Sequence, residues 1–119
     1  FGVRVYCVEP GVVATNIFDN SADMTRYDKA SPYQQIMRRN GKLCSAGFKA
    51  PASPQQVADA ILTAITQPEY QFRWPVGVDA EGICGGRANI TAEQWIQMGD
   101  DLTDGEYNER FLQYFNVQL

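Results

Sequence analysis

The feature that most narrows the fold is a short run near the start, Val3-Arg4-Val5-Tyr6-Cys7-Val8, dense in β-branched and aromatic side chains and stopped by Pro10-Gly11. Such residues suit a pleated surface and Pro-Gly ends one, so the run is expected to be a short buried strand followed by a turn. Near-continuous apolarity is the pattern of a strand covered on both faces, as in a parallel sheet. That strand needs neighbours on both sides. The sequence beyond it offers one further convincing strand, Phe72-Arg73-Trp74-Pro75-Val76-Gly77-Val78, and Pro75 cannot donate to a ladder, which points to an edge or a strand end. The missing strands are expected upstream or in a partner. The chain, opening on Phe1 rather than Met, reads as the interior of a longer protein.

Between the two strands lies the clearest helix signal. Ser53-Pro54-Gln55-Gln56 places an N-cap, a proline at the first helical position and a glutamine able to close a capping box. Val57, Ala58, Ile61, Leu62, Ala64 and Ile65 come next with helical spacing up to Pro68. Residues 16–52 are irregular; Ser31-Pro32 is expected to start a short helix reaching about Arg39, and the stretch reads either as a substrate loop or lid or as a surface excursion. After Asp79, Gly82-Ile83-Cys84-Gly85-Gly86 is expected to form turns, without the lysine and hydroxyl residue of a phosphate loop. Thr91 and Thr103 each precede a capping-box partner by three positions, predicting two helices in the tail. On the second, Tyr107, Phe111, Tyr114 and Phe115 share a face expected to dock on a core. The acidic residues around them, Asp100, Asp101, Asp104, Glu106 and Glu109, suit helix N-termini and solvent rather than a calcium loop.

Composition excludes several function classes. The 119 residues, 45% hydrophobic and 20% charged, have the balance of one globular domain. A net charge of −4 with no basic cluster beyond Arg38-Arg39 argues against nucleic acid and anionic membranes as partners. No apolar run approaches the roughly 20 residues of a membrane span. Three cysteines, Cys7, Cys44 and Cys84, without CxxC spacing suit reduced thiols and a cytoplasmic location. Asn89-Ile90-Thr91 has the form of a glycosylation acceptor, but Thr91 is read as a helix cap. With no histidine, a Ser-His-Asp triad, a Cys-His pair and a His-ligated zinc are all excluded within the chain, and no metal site is expected.

The run from Phe1 to Thr15, a strand leading into Pro10-Gly11-Val12-Val13-Ala14-Thr15, resembles the sixth strand and adjoining turn of short-chain dehydrogenases/reductases. The later segments keep the family's order too: a variable substrate region, a Ser-Pro-x-x-Val-Ala-x-x-Ile helix and a last strand, so the resemblance runs through about two thirds of the chain. It implies an α/β fold, the C-terminal part of a Rossmann-type doubly wound parallel sheet with a helical C-terminal extension. Residues 1–15 would be the strand and Pro-Gly turn, 16–52 the substrate loop region, 53–79 the helix and last strand, and 80–119 the helical tail. It also implies hydride transfer between NAD or NADP and an alcohol or carbonyl substrate. By position, Pro10 and Gly11 would shape the turn, Val13 would offer backbone N–H and C=O to the nicotinamide carboxamide, and Thr15 would hydrogen-bond the cofactor. Ile17, Phe18, Met24 and Tyr27 would face the substrate. The family's helix and last strand often pack across a two-fold axis, so a homodimer is expected.

Two family hallmarks are absent from these residues: the glycine-rich turn for the pyrophosphate and the Tyr-x-x-x-Lys pair that handles the proton. No catalytic residue is therefore assigned, and NAD and NADP are not distinguished. The alternative reading is a catalytically incompetent fragment acting as an interaction module through exposed apolar surface.

Overall fold

A computed structural model describes residues 1–17, 19 and 30–119. Its described residues form an α/β arrangement of two strands and five helices: β1 (Cys7–Pro10), α1 (Gln34–Phe48), α2 (Pro54–Thr66), β2 (Arg73–Val76), α3 (Val78–Asn89), α4 (Ala92–Gln97) and α5 (Asp104–Phe115). The strands pair in parallel, with Cys7 opposite Arg73 and Pro10 opposite Val76. Hydrogen bonds from Cys7 N–H to Phe72 C=O (2.7 Å) and from Gly11 N–H to Val76 C=O (3.0 Å) flank the ladder. The parallel pairing agrees with the apolar pattern of the first strand, and Pro75 does stand in a strand with one neighbour among the described residues.

β1 is shorter and lies later than the apolar run suggests. Val3 and Val5 are exposed. The register would set residues 69–71 opposite them, where the chain is still leaving α2 after Pro68, and the ladder starts only at Phe72. Tyr70 holds the approach instead: its hydroxyl donates to Val5 C=O (2.8 Å) and its ring lies 5.7 Å from that of Tyr6.

Local capping chemistry accounts for three helices. Ser53 Oγ accepts from Gln56 N–H (3.2 Å) while Gln56 Oε1 accepts from Ser53 N–H (2.7 Å), closing the box that starts α2. Thr91 and Gln94 repeat the arrangement at α4, and Thr103 and Glu106 at α5. α2 packs on both strands through Ala64, whereas Ile61, Leu62 and Ile65 on its remaining apolar surface are exposed.

Two expectations are corrected. The helix predicted to reach Arg39 runs 15 residues to Phe48, straight through Asn40-Gly41, because one exposed glycine costs a helix only about 1 kcal/mol and tertiary contacts outweigh that. The glycines at 82–86 lie inside α3 rather than in turns. Gly82 and Gly86 are one helical turn apart and face the C-terminal end of α5. A Cβ on Gly86 would stand 2.6 Å from Cδ1 and 2.9 Å from Cα of Phe115, and closer still to Tyr114 C=O. A Cβ on Gly82 would press equally on Phe115 C=O and stand 3.1 Å from Val117 Cγ2. The missing side chains let the two backbones approach, which is how a sequence rich in turn residues stays helical.

That approach builds the core. Met98, Phe111, Phe115 and Val117 form its buried centre, with Leu43, Ile83, Ile90 and Tyr107 against it. Phe115 is 1% exposed; it takes the ring of Phe111 at 4.6 Å and meets Trp95 edge-on at 6.1 Å. The aromatic stripe of the tail is thus a docking face, as expected. Asn116, in the left-handed conformation (φ 53°), ends α5 and turns Val117 back into this core.

Candidate functional site

The connection leaving β1 carries Pro10, Gly11, Val13 and Thr15 in one continuous stretch, at the carboxyl end of a parallel strand. Its path is fixed by a single bridge between Val13 and Ala52, in which Ala52 N–H donates to Val12 C=O (2.9 Å) and Ala14 N–H donates to Ala52 C=O (2.9 Å). In a parallel bridge of this kind the central residue's own groups point away from the partner strand. The bridge therefore leaves Val13 N–H and C=O without a partner among the described residues, side by side on a half-buried backbone. A neighbouring donor and acceptor held this way are complementary to a carboxamide.

Thr15 is exposed, and its Oγ1 accepts from Ile17 N–H (3.4 Å), leaving the hydroxyl proton able to donate elsewhere. Ile17 is exposed two residues further on. Phe18, Met24 and Tyr27 lie outside the described residues, so of the four expected substrate contacts only Ile17 is placed.

One residue essential to this geometry carries no sequence signal as strong as its structural role. Asp79, the second residue of α3, is 9% exposed, and its Oδ2 accepts from Val12 N–H (2.8 Å). Its carboxylate fills the space that side chains on Gly11 and Gly47 would occupy; a Cβ on Gly47 would lie 2.7 Å from Oδ2. Gly77, at φ 100°, makes the sharp entry from β2 into α3 that brings the carboxylate there. Asp79 thus ties together the turn after β1, the end of α1 and the start of α3. Its Oδ1 is buried without a hydrogen-bond partner among the described residues. Only the order strand, Gly, x, Asp hints at this in the sequence.

A second concave region went unforeseen because residues 16–52 read as irregular. α1, α4 and α5 enclose a cleft of about 550 Å3 whose walls include Ile36, Arg39, Leu43, Trp95, Met98 and Phe111. None of Pro10, Gly11, Val13 and Thr15 lines it. Arg39 is 7% exposed; its Nη2 donates to Leu102 C=O (2.7 Å) and its guanidinium carbon lies 4.2 Å from the centre of the Tyr107 ring. Burial pushes the Tyr107 phenol up, opposed by the charge of Arg39.

All three cysteines are free. Burial pushes the Cys84 thiol up, Glu9 and Cys7 add to that shift and Arg73 opposes it. Among the described residues no three His, Cys, Asp or Glu side chains gather as a metal site, and no helix is long and apolar enough to cross a membrane. Comparison with protein-family models, with curated proteins and with solved structures finds no match to this chain.

Proposed function

We propose that this chain is the nicotinamide-side portion of an NAD(P)-dependent oxidoreductase acting on an alcohol or carbonyl compound. The observation that carries the reading is the N–H and C=O pair of Val13, left open by the bridge to Ala52 at the carboxyl end of a parallel strand, where open α/β sheets receive ligands. Bound there, the dinucleotide would supply hydride transfer. The protein's own part is to hold the carboxamide through Val13, to offer the Thr15 hydroxyl as a donor, and to keep the turn rigid through Pro10, Gly11 and Asp79. Residues for the pyrophosphate and for proton transfer would come from outside these 119 residues.

A different observation favours a second reading. Ile61, Leu62 and Ile65 leave an exposed apolar strip on α2, and the two strands have no further neighbours among the described residues. Further strands of a doubly wound sheet would cover part of this surface in the oxidoreductase, and a second copy would cover the rest in a homodimer; an interaction module would use it for a partner.

Thermal unfolding of the natural polypeptide with NAD(H) or NADP(H), together with the Val13 amide resonance, separates the readings. A cofactor that raises the midpoint and moves that resonance supports the oxidoreductase and identifies the nucleotide. No midpoint shift and an unmoved Val13 amide refute it.

A further inference from the structure

The cleft between α1, α4 and α5 contains an imbalance of charge. Of three basic side chains close together on α1, the two more exposed ones share a carboxylate: Arg38 Nη2 and Lys42 Nζ lie 3.0 and 3.3 Å from the oxygens of Asp104. Arg39, the buried one, forms no ion pair among the described residues. It meets the Leu102 carbonyl, which already accepts from Gln35 Nε2 (3.2 Å), and the face of Tyr107. Its Nε–H is buried with no acceptor among the described residues. A buried guanidinium is strongly disfavoured unless a counter-charge and hydrogen-bond acceptors meet it. A carbonyl and an aromatic ring fill that need only in part. Apart from Gln35, Asn40 and Tyr107 the rest of the wall is apolar, and Ile36, Trp95 and Ile96 are exposed large hydrophobics along the cleft. The combination, one unbalanced cation in an apolar cleft of ligand size, matches a molecule with one anionic head and an apolar body.

We propose that this cleft binds a small amphipathic monocarboxylate, its carboxylate on Arg39 and its apolar body against Ile36, Leu43, Trp95 and Phe111. The site is separate from the turn at Val13 and needs no nucleotide. The two tryptophans make it directly testable: Trp95 lines the cleft, whereas Trp74 sits in β2 with its indole N–H donating to Gln71 C=O (2.9 Å). The experiment titrates octanoate and 1-octanol, without cofactor, into the full chain while tracking both indole N–H resonances. Octanoate should move Trp95 saturably and leave Trp74 in place, and 1-octanol should bind at least tenfold more weakly. Arg39→Gln should weaken octanoate at least tenfold without changing 1-octanol binding. If that variant does not fold, Ile36→Glu, a substitution at an exposed position that sets a carboxylate one helical turn from Arg39 to compete for its charge, should give the same loss. The proposal is overturned if octanoate leaves Trp95 unmoved, if it binds no better than 1-octanol, or if the folded variant retains wild-type octanoate affinity. Because no nucleotide is present, none of these outcomes bears on the cofactor reading.

Discussion

Gly85 and Gly86 are adjacent in α3, yet replacing each by alanine should move stability in opposite directions. An alanine in a helix interior is favoured over glycine by up to about 1 kcal/mol. At Gly85, where a Cβ meets nothing within 4 Å, that gain is realised in full. At Gly86 the added carbon would fall 2.6 Å from Phe115 Cδ1 and press on Tyr114 C=O. The obstacle is backbone and a ring that is 1% exposed, so α3 and α5 must separate. Overpacking of this kind costs about 1–3 kcal/mol, leaving a net loss of up to about 2 kcal/mol after the helical gain. With an unfolding entropy of about 2.1 cal/mol/K per residue, a chain of this length shifts by about 4 °C per kcal/mol. Thermal melts monitored by far-UV circular dichroism should therefore place Gly86→Ala below wild type, by up to about 8 °C, and Gly85→Ala about 2–4 °C above it. Midpoints that move together, in either direction, would refute the assigned packing of α3 on α5.

The junction at Asp79 should be coupled to Gly11. Asp79→Ala strands the Val12 amide and should cost about 1–3 kcal/mol in urea unfolding, whereas combining it with Gly11→Ala should cost less than the sum, since the alanine methyl then enters vacated space. Additive losses would mean that the two residues do not meet. Acid should weaken the fold through Asp104, Glu106 and Glu93. Lys42 holds the Asp104 carboxyl down by hydrogen bonding, Thr103 does so for Glu106, and for Glu93 its own backbone amide leads and Thr91 assists. A lowered folded-state pKa means that the stabilisation is present above the ordinary values of 3.8 and 4.5 and is lost as pH falls through and below them. A midpoint that stays flat over that range would contradict these contacts. Finally, Cys84 should alkylate with iodoacetamide more slowly in the folded chain than in urea, because burial keeps its thiol protonated; equal rates by mass spectrometry would exclude that environment.

What was legible in the sequence was local chemistry. Ser53, Thr91 and Thr103 each bond a residue three positions away, so spacing alone placed three helix starts correctly. Phe111 and Phe115 were recognisable as a docking stripe because helical periodicity is also local. Misreadings came where the deciding partner is remote. Gly82 and Gly86 have turn propensity until α5 lies against them, and the helix expected to reach about Arg39 continues to Phe48 with tertiary partners on Arg39 and Lys42. The end of the first strand at Pro10-Gly11 was legible from its turn residues, but Asp79, which holds that turn, is 67 positions from Val12. Arg39 reaches Leu102 across 63 positions, so neither the cleft nor its unbalanced charge has a signature in the sequence.

The parallel pairing of β1 with β2 also orders events in time. Glu9 and Arg73, ion-paired across the ladder, are 64 positions apart, and everything from the first turn to the end of α2 must be looped out before they meet. The entropy of closing that loop falls due before any strand contact rewards it, which makes such pairings late steps of folding. α3, α4 and α5 meet over much shorter loops and can consolidate around Phe115 first. The hydrogen bond by which Asp79 holds the Val12 amide spans 67 positions and therefore belongs with the same late closure. A chain caught before that step would present an intact helical half and a turn after β1 that Asp79 does not yet hold.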